Sequence, residues 1–463
     1  MPERRWIQPE WLFWDGRVRA GLALEVDERG QVAGAGKPPE GAPVEPLRGR
    51  LLLPGLVNAH SHAFQRLIRG RTEYVASGQE RDDFWNWREL MYRAANALDP
   101  EGVYVASRQA FVEMALAGTT SVGEFHYLHH APDGTPYADR LELSRQVIRA
   151  ARDAGVRIAL LRVGYARAGF GKPENPRQRR FIDPSLERVV EDAVALREAM
   201  RGDPAVAVGL APHSVRAVPK PWLELLAREG PKGMPVHLHA AEQPAEIAAC
   251  REEHGRTPVE LLDEVGLLRE GVTLVHAVHL TEDEVKRVGA SGATVCACPS
   301  TERNLGDGVV RADELLRAGS PICLGTDSHA AVDLLDEARQ LEGHLRLVRL
   351  RRAVMDPGGG EMDGLAVRLL KSATARGAWS LGLEGVGYLE PRQAADFFTV
   401  DLEHPALVGC SEESVLPALL LGGAPGAVRD VAVGGRWIVR DGEHPLRRES
   451  ARAFAALSRR VFA

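Results

Sequence analysis

The sequence predicts an α/β fold: a (β/α)8 barrel of the TIM type with a small β-sandwich domain formed by the N- and C-terminal segments. Between residue 51 and about residue 330, short apolar runs alternate with longer stretches of helical period. Both ends of the chain instead carry short alternating runs separated by turns. We therefore assign residues 1–52 and 392–463 to the small domain and residues 53–391 to the barrel.

Eight apolar runs are interpreted as the parallel strands of the barrel. They end in VNAHSH (57–62), SVGEFHY (121–127), ALLRVGY (159–165), AVGLAPHS (207–214), PVHLHAAE (235–242), TLVHAVH (273–279), TVCACPS (294–300) and ICLGTDS (322–328). Amphipathic segments such as 138–155 and 186–202 lie between them and close near glycine, which is typical of helix ends. Eight strands each followed by a helix favour a closed barrel, whose active site lies where the strands end.

Polar side chains gather at the ends of these runs. They are His60, His62, His126, His213, His239, His276 and Asp327. A buried parallel strand ordinarily stays apolar to its end. A set of polar residues drawn from many strands to one barrel mouth therefore predicts a catalytic site.

His60 and His62 alternate on one strand, so both side chains face the same side. Three histidines from two strands, together with Asp327 from the last strand, would suit a zinc ion that keeps one position open for water. Glu242, at a strand-to-helix junction, would protonate a leaving nitrogen or simply favour the helix N-terminus. His276 would polarise the substrate or stabilise the attacking water, unless it is a satisfied core histidine.

Composition narrows the class of partner. The 463 residues include 58 basic and 64 acidic side chains, well mixed, with a net charge of −6. No basic face indicates a nucleic acid or an anionic membrane, so small molecules are the expected partners. Five cysteines, an odd number, argue against a disulfide framework, and the N-terminus lacks the apolar core of a signal peptide. We expect a cytoplasmic protein.

Four motifs in a fixed order carry a family resemblance. They are PGLVNAHSH (54–62), HAAE (239–242), VHAVHL (275–280) and GTDS (325–328). In this order they resemble the amidohydrolase superfamily, specifically its mononuclear deaminase branch. A binuclear site in such a barrel often needs a bridging lysine at the end of the fourth strand, where this chain has APHSVR. One metal ion is therefore favoured over two.

Longer segments sharpen this resemblance. The segments HSHAFQR, FWNWRELMYR, TSVGEFHYLHH, APHSVRAV, HLHAAEQ and CPSTERNLGDG are similar to the N-formimino-L-glutamate deiminases of histidine breakdown. The resemblance implies hydrolysis of that substrate to N-formyl-L-glutamate and ammonia, and a homodimer is expected because dimers are common in the family. It implies one zinc ion, with iron also tolerated by the donors. The implied ligands are His60, His62, His239 and Asp327, and the implied proton carriers are Glu242, His276 and Asp327.

The implied substrate is a dicarboxylate with a cationic formamidine group. Arg88 and Arg216 offer planar forks that suit carboxylates, although either could also be a surface helix arginine. In the family, these two positions and those of Gln65, Tyr127 and His213 line the substrate pocket. Arg303, where a small residue is expected, and the glycine-containing loop 166–182 depart from the family pattern and would alter only the edge of the pocket.

Two other functions are kept as alternatives. A deaminase of an aminopurine, guanine or triazine-like ring would stack an aromatic side chain on its substrate and carry fewer arginines at the mouth. A non-catalytic barrel that serves as a scaffold usually loses a metal ligand or the proton-transferring carboxylate. Here all of these residues are present, which favours an enzyme.

Overall fold

The computed structural model describes residues 4–75, 84–172 and 174–463, and of residues 84–86 only the backbone. The strands in these ranges, numbered in chain order, are β1 Arg5–Trp14, β2 Arg17–Ala20, β3 Ala23–Val26, β4 Val32–Gly36, β5 Val44–Pro54, β6 Leu56–Ser61, β7 Thr119–His126, β8 Arg157–Gly164, β9 Val206–Pro212, β10 Val236–Ala240, β11 Val272–His276, β12 Thr294–Ala297, β13 Ile322–Leu324, β14 Phe397–Asp401, β15 Val428–Val433 and β16 Arg436–Val439.

Helices fill most of the connections between the barrel strands. They are α1 Phe84–Asn96, α2 Pro100–Leu116, α3 Glu142–Ala154, α4 Leu186–Ala199, α5 Lys220–Glu229, α6 Pro244–His254, α7 Pro258–Glu264, α8 Glu282–Ser291, α9 Pro299–Leu305, α10 Ala312–Ala318, α11 Leu334–Arg349, α12 Gly364–Ser372, α13 Ala375–Ser380, α14 Val415–Pro417 and α15 Arg447–Phe462. Short 3-10 helices span Ala63–Ile68 and Pro176–Phe181, and a π-helical turn spans Ala418–Gly422.

The predicted barrel is confirmed. Strands β6 to β13 form one sheet in chain order, and neighbouring strands pair in parallel. The two edges meet through a parallel bridge between Ser61 and Asp327, and the amide of Thr326 donates to the carbonyl of His60 at 3.0 Å. Each of the eight predicted runs contains one strand of this barrel.

The strands of the barrel are apolar because both faces of the sheet are covered. Every residue of β6, β7, β8 and β10 to β13 is buried.

The ends of the surrounding helices are fixed by ordinary capping signals. Gly155 ends α3 in the left-handed conformation, and Thr257 and Thr281 begin α7 and α8 with capping boxes.

The terminal segments form a separate β-sheet, as predicted. Its order is β16-β15-β14-β5-β1-β3-β4, with β2 paired to β1, so the three C-terminal strands join the N-terminal strands through the antiparallel pairing of β14 with β5. It encloses a small core of its own, which includes Ile7, Leu24, Leu52 and Phe397. A buried ion pair ties it to the barrel, because Arg157 at the start of β8 donates to Asp396 at 2.6 Å.

The C-terminal helix α15 packs along α2 of the barrel. Arg108 donates to Glu449 at 2.8 Å, and Arg460 pairs with Asp99 at 3.0 Å. Asp99 also caps α2 by accepting the amide of Gly102. Within the ranges described above, none of the helices has the length and apolar character needed to cross a membrane.

Candidate active site

Four polar side chains converge at the mouth of the barrel. His60 and His62 come from the end of β6, His239 from β10 and Asp327 from just beyond β13. Their candidate ligand atoms all lie within 4.8 Å of one another, and all four residues are buried. Asp327 Oδ1 lies 3.1 Å from His62 Nε2 and 3.4 Å from His60 Nε2. The four predicted metal ligands therefore share one point.

Backbone carbonyls fix the direction of two of these imidazole rings. The Nδ1 of His62 donates to the carbonyl of Phe125 at 3.0 Å, and the Nδ1 of His239 donates to the carbonyl of His213 at 2.9 Å. A histidine that carries its proton on Nδ1 presents an unshared electron pair on Nε2. The Nε2 electron pairs of His62 and His239 both point into the space beside Asp327, which is the usual arrangement of histidines that bind a metal.

The charge state of the cluster suits a cation. Burial lowers the pKa of His60 to about 3 and that of His239 well below the ordinary value, so both rings are neutral. Burial alone would raise the pKa of Asp327, but the adjacent imidazoles of His60 and His62 outweigh it and hold that pKa well below its usual range. Since His60 Nε2 lies only 3.2 Å from His239 Nε2, a shared cation would relieve the crowding of two nitrogen lone pairs. The residues fit one divalent metal ion.

Glu242 and His276 lie beside this cluster. The Nε2 of His276 is 3.8 Å from Glu242 Oε1 and 3.7 Å from Asp327 Oδ2, and its ring stacks on that of His239. Burial lowers the pKa of His276, but Glu242 and the neighbouring Glu302 outweigh it and raise the pKa to about 10. The carboxylates of Glu242 and Asp327 thus lie on the same side of the cluster as the imidazole of His276, where all three could exchange protons with a bound substrate or water.

Strained backbone holds several of these residues. Ala241, His276, Ala277, Asp327 and His329 have φ angles between 44° and 72°, although none is glycine. Each lies directly after, or at the end of, one of the barrel strands β10, β11 and β13. Such conformations cost about 1–3 kcal/mol each and persist where the surrounding structure dictates them, commonly at functional sites.

One pocket joins the candidate metal ligands to the predicted substrate residues. Gln65, Arg88, Tyr127, His213 and Arg216 all line it, together with His62, His239, Glu242, His276 and Asp327. Helix α1 forms one wall with Trp87, Arg88, Met91 and Tyr92. The structure therefore brings all of the predicted substrate residues together, whereas their roles stay predictions.

Contacts within the pocket favour an anionic ligand. Gln65 donates to the hydroxyl of Tyr127 at 2.7 Å, and the guanidinium of Arg88 lies 5.5 Å from the ring centre of Tyr92. Burial lowers the pKa of Arg216, but Glu242 and Glu246 outweigh it, so the pKa rises above its ordinary value. Both arginines are half-buried cations on the wall of one pocket.

Some expectations for histidines were wrong. His126 does not join the cluster, because alternation along β7 turns Phe125 inward and places His126 against the ring of His129. His129 and His130, which a loop position suggested were solvated, are buried. The segment around Arg180 covers them, since its carbonyl accepts both of their amides at 3.1 Å.

The segments that departed from the family pattern can also be placed. Arg303 is exposed on α9 and does not line the pocket. In the predicted loop 166–182, residue 173 lies outside the described residues, and Pro176–Phe181 forms a 3-10 helix whose Phe181 does line the pocket. The segment FWNWRELMYR (84–93), which carries part of the family resemblance, lies in α1, and the side chains of its first three residues lie outside the described part.

Sequence reasoning missed Glu302. Its Oε1 lies 3.3 Å from the Nδ1 of His276, so a buried carboxylate supports a residue of the site from behind. Its only sequence signal is an acidic residue in the first turn of a helix after a strand, and helix N-termini commonly carry such residues for electrostatic reasons alone.

Comparisons with known proteins agree with this geometry. Residues 51–438 match the model of the Amidohydrolase family. The chain is 41% identical over 407 residues to the formimidoylglutamate deiminase of Pseudomonas aeruginosa, which covers 88% of each chain. It is 30% identical over 435 residues to the 5-methylthioadenosine/S-adenosylhomocysteine deaminase of Natronomonas pharaonis, covering 92% of this chain and 90% of that one.

A solved structure agrees equally well over the whole length. The crystal structure of an amidohydrolase from Brucella melitensis is 33% identical and superposes with a TM-score of 0.90, covering 99% of this chain and 100% of that one. The barrel and the terminal sheet are thus shared with a solved amidohydrolase. The chain belongs to the amidohydrolase family, and it is a hydrolase that acts on C–N bonds.

Proposed function

We propose that the chain is a zinc-dependent deiminase of histidine degradation, which hydrolyses N-formimino-L-glutamate to N-formyl-L-glutamate and ammonia. One observation carries the proposal: Arg88 and Arg216 line the same pocket as the candidate metal ligands. Two cations beside a hydrolytic centre suit a substrate with two carboxylates. The 41% identity to a formimidoylglutamate deiminase supports the same substrate.

His60, His62, His239 and Asp327 would hold the metal. Three imidazoles and one carboxylate are typical zinc ligands, and iron is the alternative that the same donors accept. When bound, zinc would supply a Lewis acid that lowers the pKa of water towards neutrality. Metal analysis of the purified protein distinguishes the two ions.

The arginines would fix the substrate by its carboxylates. Planar guanidinium groups bind carboxylates in a bidentate manner, which sets orientation as well as charge. With its acidic groups held by Arg88 and Arg216, the formimino carbon would lie towards Glu242, His276 and Asp327. Gln65 and Tyr127, which are hydrogen-bonded to each other, offer polar atoms on the same pocket wall.

The proposed reaction adds water across the formimino carbon and expels ammonia. Asp327 accepts one proton from the attacking water, and Glu242 accepts the second from the hydroxyl group that forms on the formimino carbon. Both carboxyl groups then deliver these protons to the departing nitrogen. His276 stabilises the developing charge on the attacking oxygen through its Nε2. The balance is one amidinium and one water giving one amide and one ammonium ion.

A heterocyclic substrate is the second candidate. Trp87, Tyr92 and Phe181 line the pocket and could stack on a purine, and one relative is a 5-methylthioadenosine/S-adenosylhomocysteine deaminase. A neutral ring, however, has no carboxylate for the two arginines to bind. A dicarboxylate substrate therefore explains the presence of more of the residues that line the pocket.

Product analysis tests the proposed reaction. Water could release either nitrogen of the formamidine, giving N-formyl-L-glutamate with ammonia or L-glutamate with formamide. NMR spectra of the zinc-loaded protein with N-formimino-L-glutamate should show the first pair in equal amounts. Formation of glutamate and formamide, or no turnover, would reject the proposed deiminase activity.

A further inference from the structure

Glu302 is a buried acidic residue to which the proposed reaction gives no role. It lies in α9, and its Oε1 is 3.3 Å from the Nδ1 of His276. Both residues are buried. Because a carboxylate only accepts, Nδ1 carries the proton and donates it. The opposite ring nitrogen, Nε2, then faces Glu242 and Asp327.

The carboxylate of Glu302 is itself held in place. Its Oε1 also accepts the amide of Cys298 at 2.8 Å, and its own amide donates to the Cys298 carbonyl at 2.9 Å. The start of α9 is fixed a second time, since Glu337 accepts the amide of Ser300 at 2.8 Å. The position of Glu302 is therefore set by the backbone after β12.

The ring of His276 depends on this contact. Among the residues that the structure describes, Glu302 is the only hydrogen-bond partner of that ring, and Nε2 has none. Nε2 lies 3.8 Å from Glu242 and 3.7 Å from Asp327, which is beyond direct hydrogen bonding. Without Glu302, no hydrogen bond to a described residue would orient the imidazole, and its ring contacts with His239 and His60 would have to do so.

We propose that Glu302 is a positioning residue for deimination: it holds the Nδ1 proton of His276 and thereby directs Nε2 at the oxygen that attacks the substrate. This inference rests on the proposed role of His276. Glu302 does not line the pocket, so it acts through His276 and not through substrate contact. Glu302 orients the ring of His276 in the same way as backbone carbonyls orient the rings of His62 and His239.

Two variants separate this role from a general structural one. Glu302→Leu removes the acceptor and should lower kcat about 10- to 100-fold, the usual effect of losing a partner behind a metal-site residue. KM and the metal content should stay unchanged, since Glu302 lies outside the pocket and is not one of the four proposed metal ligands. Glu302→Gln keeps an Oε1 that accepts from both Cys298 and His276, so it should restore most of kcat.

A matched control is Glu337→Gln. Glu337 is a second buried glutamate that holds the same end of α9 but does not contact His276. This variant should keep the kcat of the wild type. A fall in kcat equal to that of Glu302→Leu would show that any disturbance of α9 suffices, and would overturn the proposal.

Other results are equally decisive. Normal kcat in Glu302→Leu, a joint loss of kcat and metal, or no recovery in Glu302→Gln would each overturn the positioning role. A crystal structure of zinc-loaded Glu302→Leu gives a readout without substrate, in which the His276 ring should have rotated; an unmoved ring would contradict the inference. If the wild type does not release ammonia from N-formimino-L-glutamate, the proposed function fails. The crystal structure of Glu302→Leu would still show whether Glu302 orients the ring of His276.

Discussion

The imidazole of His239 donates its Nδ1 proton to the backbone carbonyl of His213, 2.9 Å away. His239 is a candidate metal ligand from β10, and His213 is a pocket residue that directly follows β9. The wall of the pocket thus also orients a ligand of the proposed metal. A change in that wall is expected to alter both substrate and metal binding.

Replacing a ligand should remove the metal. His239→Ala deletes one of the four donors, so metal bound per chain should fall from one to near zero after dialysis, and turnover should be lost with it. Inductively coupled plasma mass spectrometry measures the content. His279→Gln is the control, because His279 is a half-buried histidine outside the cluster. Full metal content in His239→Ala would contradict the assigned ligand set.

Arg216 should determine the preference of the enzyme for a negatively charged substrate over a neutral one. Arg216→Met is expected to lower kcat/KM for N-formimino-L-glutamate about 10- to 150-fold, because a hydrogen bond to a charged group contributes about 1.5–3 kcal/mol. Turnover of any neutral amidine should change little. Arg303→Met, on the exposed side of α9, is the matched control and should behave as the wild type. An equal loss for charged and neutral compounds would remove the arginine from substrate recognition.

The sequence predicted the barrel well because its signals are local. Each strand is a short apolar run that ends in polar residues, and the helices between the strands end at glycine or begin at capping threonines. Alternation along β6 placed His60 and His62 on one face correctly. Along β7 the same alternation turns His126 away from the mouth, contrary to the prediction.

Contacts between distant segments could not be predicted from such patterns. His129 looked solvated because it lies in a loop, and only the fold shows that residues 180–183 cover it. Glu302 looked like an ordinary acidic residue of a helix N-terminus, and its contact with His276 joins two different strand ends. Both depend on tertiary packing that no spacing in the chain records.

The ion pair between the barrel and the terminal sheet should contribute strongly to stability. Arg157→Met would leave the buried carboxylate of Asp396 without its partner, which typically costs about 3–5 kcal/mol. Urea denaturation should show this loss in the free energy of unfolding, while kcat of the folded enzyme stays unchanged. Arg201→Met removes an exposed ion pair with Glu198 and should cost less than about 1 kcal/mol. Equal losses in the two variants would contradict the assignment.

Glu337 should make stability depend on pH. Burial raises the pKa of Glu337 from 4.5 to about 8, although hydrogen bonds from Ser300 oppose the shift. Its folded-state pKa is raised, so the native state gains stability below pH 4.5 that is lost as the pH rises towards 8. The free energy of unfolding of Glu337→Gln, relative to the wild type, should therefore increase over this range and then level off. Urea denaturation at pH 5, 7 and 9 measures it, and a difference independent of pH would contradict the prediction.

The most direct test of the proposed function is ammonia release by the zinc-loaded protein from N-formimino-L-glutamate, run beside guanine, adenosine and S-adenosylhomocysteine. The account predicts release from N-formimino-L-glutamate alone, because only that compound combines two carboxylates, for Arg88 and Arg216, with a formimino carbon to present to Glu242. Release only from a heterocycle would keep the hydrolytic centre and contradict the assigned substrate.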